Sequence, residues 1–306
     1  MPDTYDTSTA EGTRTMNRST ADQQRRAETF RKLHEGPQPF VVPNPWDAGT
    51  AHILTGMGFP ALATTGAGLA HGLGLPDGAN RLGRKEVLDN AAVIVAATTL
   101  PVSADLESGF GDTPEEVAET IRQAAAVGLV GGSIEDSTGR AADPVRPLEE
   151  AVERVSAAVA AAKELDFPFL VTARAENFFQ GIPDLDDTIR RLQAYEAAGA
   201  DVLYAPALPD ADAIRAVCSS VSAPVNVLMG SPALRLSVTE LGDLGVRRIS
   251  VGSALSRASL GAVVRAAQEI RDHGTFGFGA DAVPYAEANT MMAPEQPAGP
   301  ESDRTP

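Results

Sequence analysis

The chain has 306 residues, 43% of them hydrophobic, a formal charge of −16 and one cysteine. That is enough for a sizeable core, and the length suits a single (β/α)8 barrel as well as two smaller domains. The charge argues against nucleic acid or an anionic membrane surface as main partner, the lone Cys218 excludes an internal disulfide or a cysteine zinc cluster, and no apolar run of 18 residues marks a membrane span.

Residues 1–25 are Thr-rich and acid-containing, without the apolar centre of a signal peptide, and read as a disordered tail. Met16 is an alternative start to Met1, and with no address in the sequence the cytoplasm is the expected location. Between residues 38 and 272, short β-rich runs alternate with Ala-rich segments of helical period, the mark of βα units and a parallel sheet. The strands fall at 40–43, 61–65, 102–107, 131–136, 169–174, 202–206, 224–229 and 248–252.

Helical stretches follow most of them. Thr113-Pro114-Glu115-Glu116 supplies a capping hydroxyl, a proline at the first helical position and acids at the positive helix end. "EAAGADVLY" and "GDLGVRRISV" repeat one device: helix, glycine stop, two-residue bridge, buried strand. Eight such units predict a single (β/α)8 barrel over residues 26–292, with "FGADAVPYAEANTMM" a further helix on the barrel or a neighbouring subunit. The Pro-rich tail 293–306 is expected to be disordered. Neither dinucleotide nor Walker glycine pattern is present.

Barrel chemistry sits at the C-terminal strand ends, so the polar residues there carry the information. They are Asn44, Trp46 and Asp47; Thr64, Thr65, Gly66 and Ala67; Asp105 and Glu107; Glu135 and Asp136; Arg174 and Glu176. Strand alternation puts Asp105 and Glu107 on one face, and Glu135 joins them from the next strand. Three such carboxylates repel unless a cation intervenes, and an oxygen-only set suits Mg²⁺ or Mn²⁺. Solvated loop acids are the plain alternative. The Arg174 fork matches a carboxylate, or a structural ion pair with Glu176 or Glu135. Backbone N–H groups of Thr65-Gly66-Ala67 offer a cradle for a second oxygen. Together the parts describe a site for a small 2-oxo acid held by a divalent cation.

At these residues the sequence resembles the isocitrate lyase/phosphoenolpyruvate mutase superfamily, from about Phe40 to Arg271. The likeness lies in "VPNPWDAGTAHIL", "ATTGAGLAHGLGLPDG", "SADLESGFGD", "GGSIED", "VTARAE" and "GVRRISVGSALSRA". The resemblance implies a Mg²⁺-dependent barrel, commonly a homotetramer that exchanges a C-terminal helix, acting beside an oxo acid through an enolpyruvate-like intermediate. It makes Asp105 the direct metal ligand, with Asp77, Glu107 and Glu135 on the metal's waters, and Arg174 with Thr65-Gly66-Ala67 on the substrate. The metal set is thus Asp105, Glu107 and Glu135, the substrate set Thr65, Gly66, Ala67, Asp105 and Arg174, and the catalytic set Arg174, Glu135 and Asp77.

Two departures matter. The family's lyases carry a cysteine on the loop after the fourth strand, where this chain has "DSTGRAADPVRP", and "NVLMGSP" lacks their polar pattern after the seventh. Ser137, Thr138, Arg140 and Tyr204 remain as acid/base candidates, while His71 reads as a helix-end histidine. The expected function is a C–C lyase or decarboxylase for a small 2-oxo or 2-hydroxy dicarboxylate, in a dimer or tetramer. A P–C bond enzyme (phosphonomutase or phosphonopyruvate hydrolase) and a non-catalytic metabolite-binding barrel are the alternatives.

Overall fold

The computed structural model describes residues 8–78 and 81–293, with side chains from residue 21 onward. Its strands are β1 (Phe40–Val42), β2 (Leu62–Ala63), β3 (Val102–Asp105), β4 (Gly131–Glu135), β5 (Leu170–Arg174), β6 (Val202–Tyr204), β7 (Val225–Leu228) and β8 (Arg248–Ser250). All pair in parallel, in the order β1-β8-β7-β6-β5-β4-β3-β2. Between β1 and β2 the ring is drawn together by Ala63 N donating to Pro43 O at 3.1 Å and Asn44 Nδ2 donating to Thr64 O at 2.9 Å. The predicted (β/α)8 barrel is the fold, and each expected strand lies where the sequence put it.

Helices α2 (Ala48–Gly56), α3 (Gly66–Gly72), α4 (Arg84–Ala96), α5 (Pro114–Ala126), α6 (Leu148–Lys163), α7 (Leu185–Ala197), α8 (Ala211–Ser220), α9 (Val238–Asp243) and α10 (Ala254–His273) occupy the connections. The α5 cap forms as read: Thr113 Oγ1 accepts from Glu116 N, and Glu116 Oε2 accepts from Thr113 N at 2.9 Å. Gly199 and Gly245 both end their helices at φ 95°, a conformation that penalises any side chain. The main core lies between strands and helices, with Leu62, Ile94, Leu106, Ile121, Leu192 and Ile214 inaccessible to water.

Helix α1 (Ser8–Glu35) occupies much of the region expected as a tail through residue 25. Gln23 Nε2 donates to Ala125 O at 2.8 Å and Leu129 O at 3.0 Å. Ala27, Phe30 and His34 recur at helical spacing and are buried; Ala27 and Phe30 pack on Phe40, Ala61, Val130, Leu170 and Val202, at the strands' N-terminal end. This second cluster closes the lower end of the barrel, and tying α1 down is what orders it. His34 Nδ1 donates to Phe30 O at 2.8 Å while its ring stands edge-on to Phe30 and Phe40.

At the other end of the chain, α10 is exposed along most of its length, and α11 (Tyr285–Met291) lies against α2. The expected helix in "FGADAVPYAEANTMM" is thus present on the barrel. The expected tail, except Ala293, lies outside the described residues.

Candidate active site

The strand ends open into a cavity of about 850 Å³, lined among others by Thr65, Gly66, Ala67, Asp77, Asp105, Glu107, Glu135 and Arg174. Arg174 is its centre. Nη1 contacts Asp105 Oδ1 at 3.0 Å, Nη2 contacts Glu135 Oε2 at 3.1 Å, and Glu176 Oε1 receives Nη2 at 2.8 Å and Nε at 3.0 Å. The guanidinium also lies over the Tyr204 ring, 5.0 Å from its centroid. Both readings of Arg174 therefore meet in one residue: the structural ion pairs form, and they form inside the cavity. Three carboxylates on one cation raise Arg174 well above its ordinary pKa despite burial.

Asp105 ends β3, where its Oδ2 accepts from Gly66 N at 3.2 Å and its own N–H donates to Thr64 Oγ1 at 3.0 Å. Gly66 matters here through what it lacks. A Cβ there would come within 3.3 Å of Glu107 Oε1 and 3.4 Å of Asp105 Oδ2, so only hydrogen lets both acids close on the turn. Thr65 is spent differently from the sequence expectation: it caps α3, its Oγ1 accepting from Gly68 N at 3.2 Å. With Gly66 N–H on Asp105, the turn organises the acids first; Ala67 lines the cavity beside it.

Glu107 corrects the alternation argument. Strand β3 stops at Asp105, and Glu107 has φ +48°, a left-handed conformation that no strand contains. Its carboxylate meets the others because the chain turns, not because the strand continues. The turn is held by Arg154, whose guanidinium donates to Ser108 O, Gly111 O and Asp112 O, and by Thr120 Oγ1, which donates to Gly109 O. Asp112, as expected of a turn acid, is outside the cluster with an exposed side chain.

The electrostatics are those of a site short of positive charge. Burial, then Asp105, Glu135 and Asp77 in turn, push Glu107 up to about 8. Burial pushes Glu176 up to about 8 as well, against the pull of Arg174. Glu135 is also raised, mainly by burial, although Arg174 and Ser137 counter it. Asp77 is exposed at the rim and acts on Glu107 through charge alone.

Among the described residues, no group of three or more His, Cys, Asp or Glu forms a ready-made metal cluster. Arg174 stands between Asp105 and Glu135, keeping them apart. The donor chemistry nevertheless fits Mg²⁺, which keeps most of its waters and needs only one or two carboxylates. Asp105 is the acid placed for direct contact, with Glu107 and Glu135 within reach of bound water, and a dication would relieve the crowding that raises Glu107.

The loop after β4 forms a tethered flap. Ser137 bridges Val145 in antiparallel fashion, Thr138 N donates to Pro144 O at 2.9 Å and Arg146 N to Asp136 O at 2.8 Å. Asp136 is buried beneath it, accepting from Glu176 N at 2.8 Å, Tyr195 Oη at 2.6 Å and Arg191 Nη1 at 3.1 Å. Ser137 Oγ donates to Glu135 Oε1 at 2.5 Å. His71 does not line the cavity. The tyrosine and arginine that hold Asp136 were invisible to strand-end reasoning, since both sit inside α7. Their buried face, Thr188, Arg191, Leu192 and Tyr195, is the trace they leave in the sequence.

The comparisons agree with this geometry. Residues 30–271 match the family model "Phosphoenolpyruvate phosphomutase". A 2-methylisocitrate lyase of Shewanella oneidensis is 30% identical over 254 residues, covering 80% of this chain and 85% of that protein. A crystal structure from Burkholderia cenocepacia J2315, described as a "putative lyase/mutase", is 57% identical, superposes with a TM-score of 0.87, and covers 89% of this chain and 97% of that one. A phosphonopyruvate hydrolase solved with oxalate and Mg²⁺ is 26% identical with a TM-score of 0.77, over 87% of this chain and 94% of that one. The chain belongs to the isocitrate lyase/phosphoenolpyruvate mutase superfamily and is an enzyme of that type.

Proposed function

We propose that the protein is a Mg²⁺- or Mn²⁺-dependent lyase or decarboxylase that cleaves a C–C bond in a small 2-oxo or 2-hydroxy dicarboxylate. The observation that carries this reading is the Asp105–Arg174–Glu135 arrangement at the cavity mouth, two acids bridged by a cation that a substrate carboxylate can claim. When bound at Asp105, the metal supplies positive charge to the substrate's oxo oxygen as electrons arrive there. Arg174, freed from Asp105, offers Nη1 to the substrate carboxylate while Glu176 keeps its other edge fixed. Ser137 brings a hydroxyl from the flap to the same acids, in the place where the family's lyases have a cysteine. The flap excludes water while the bond breaks.

The P–C alternative draws less support, because the flap's arginines are occupied: Arg140 by Asp143 and Arg146 by Glu150. The reading extends to a cytoplasmic homo-oligomer, since Leu260, Val263 and Val264 on α10 are 43%, 65% and 53% exposed and a second copy would cover them. Light scattering measures that copy number directly.

The test is a panel of oxaloacetate, alkylated malates and citrates, and phosphonopyruvate, with Mg²⁺ and coupled pyruvate detection. Turnover that requires the metal and is inhibited by oxalate is expected. Turnover indifferent to both overturns the reading.

A further inference from the structure

Below the acids, the barrel interior is unusually polar. Barrels of this kind fill their inner layers with Val, Ile and Leu. Here the inward positions hold Ser103, Ser133, Thr172, Asn226 and Ser250, all buried, and one arginine, Arg248. Arg248 follows Glu135, Arg174, Tyr204 and Asn226 in a continuous row of strand neighbours, which strand tilt carries from the mouth down towards the floor.

Arg248 is 5% exposed and crosses the barrel, donating from Nε to Asn226 Oδ1 at 2.9 Å and from Nη2 to Thr172 Oγ1 at 3.0 Å. Its Nη1 has no partner among the described residues. The other deeply buried arginines are answered: Arg146 and Arg191 meet carboxylates, and Arg154 meets three carbonyls. Burial pushes Arg248 down to about 10, with no carboxylate opposing it. An uncompensated buried cation is costly unless something anionic joins it. Yet this one lines the same cavity as Arg174.

We infer that Arg248, with Asn226 and Thr172, forms a floor subsite for the second carboxylate of the substrate. This rests on the lyase reading above and adds to it a direction and a length. Arg248 touches Thr172, which lies two residues before Arg174 on the same face of β5. The two guanidinium groups are thus separated along the strand by about 6.6 Å, two residues at 3.3 Å each, the reach of a four- or five-carbon dicarboxylate. One carboxylate sits at Arg174 and the other descends into the barrel. Selection between mono- and dicarboxylates therefore happens beneath the reacting centre, away from the flap.

The experiment compares malate with lactate, which differ by that distal carboxylate, by titration calorimetry with Mg²⁺ present, and uses oxalate as the short probe. The wild type should bind malate at least about tenfold more tightly than lactate, the usual worth of one charge-assisted hydrogen bond. Arg248→Met should bring the two within about twofold of each other, with oxalate unchanged, and Arg248→Lys should restore part of the preference. A malate preference that survives Arg248→Met overturns the subsite and leaves the lyase reading standing. If the wild type binds no oxalate with Mg²⁺, the lyase reading fails, and the subsite is then judged by metal-free melting curves with succinate. A succinate-induced rise in Tm seen in the wild type and absent in Arg248→Met supports it; equal rises, or none in either protein, overturn it.

Discussion

Arg174 and Arg248 lie in one row of the same barrel and have opposite surroundings. Arg174 has three carboxylates; Arg248 has an amide oxygen and a hydroxyl. Burial alone therefore does not tell what an arginine is for. The first is over-supplied with negative charge and can surrender a partner to a metal. The second is under-supplied and can only gain one. The mouth is built to exchange ions, and the floor is built to receive one.

The sharpest way to break that comparison is through activity. Asp105→Ala should lower kcat/KM by about 10³-fold or more, because losing the placed acid removes the electrostatic help at the oxo oxygen. Steady-state kinetics with saturating Mg²⁺ checks it, and an effect below tenfold would put the chemistry elsewhere.

Stability separates the two arginines next. Arg174→Met strands Glu176 and Glu135 without their cation and should cost about 3 kcal/mol in urea unfolding. Arg248→Met removes a cation that has no counter-charge and should be neutral or stabilising. Equal losses would erase the distinction.

The lower end of the barrel gives a pH prediction of similar size. Burial, followed by the Arg248 charge, pushes His34 down to about 3. The folded chain thus resists a proton that the unfolded chain accepts near 6.5. Stability from this group is complete above pH 6.5 and is lost as pH falls towards 3, at a slope of up to about 1.4 kcal/mol per pH unit. The faces packed on His34 are Phe30 and Phe40, and the nearby charges are Arg247 and Arg248. His34→Phe should flatten the acid limb of the unfolding curve by that slope. The smallest effect expected is at the α5 cap, where Thr113→Ala should cost about 1 kcal/mol, seen in thermal melts.

Much of the fold was legible because its rules are local. Alternating apolar runs gave eight strands, the Thr113 cap and Gly199 and Gly245 stops gave helix ends, and the strand-end rule gathered Asp105, Glu135 and Arg174 at one cavity. Helix α1 was harder. Its Thr-rich start hides the spacing of Ala27, Phe30 and His34, and only the barrel floor makes that stripe worth burying. Glu107 reached the right place by the wrong route, since no strand rule anticipates a left-handed residue clasped from afar by Arg154. Arg248 left a signal after all: in "RISVG" it alternates with Ser250 on the face opposite Ile249, a charge where a barrel normally puts a branched hydrocarbon.

The flap has a wider consequence. Its base is fastened twice, by the Ser137–Val145 bridge and by Asp136 clamped between Tyr195, Arg191 and the start of the β5 loop. Between those fastenings, residues 139–143 are exposed and bonded mostly to one another. Such a segment behaves as an exchangeable cartridge, whose residues drift or are replaced without disturbing the barrel that seats them. A lineage that keeps the clamp and rewrites the insert can try new reactions on an unchanged anion-binding frame.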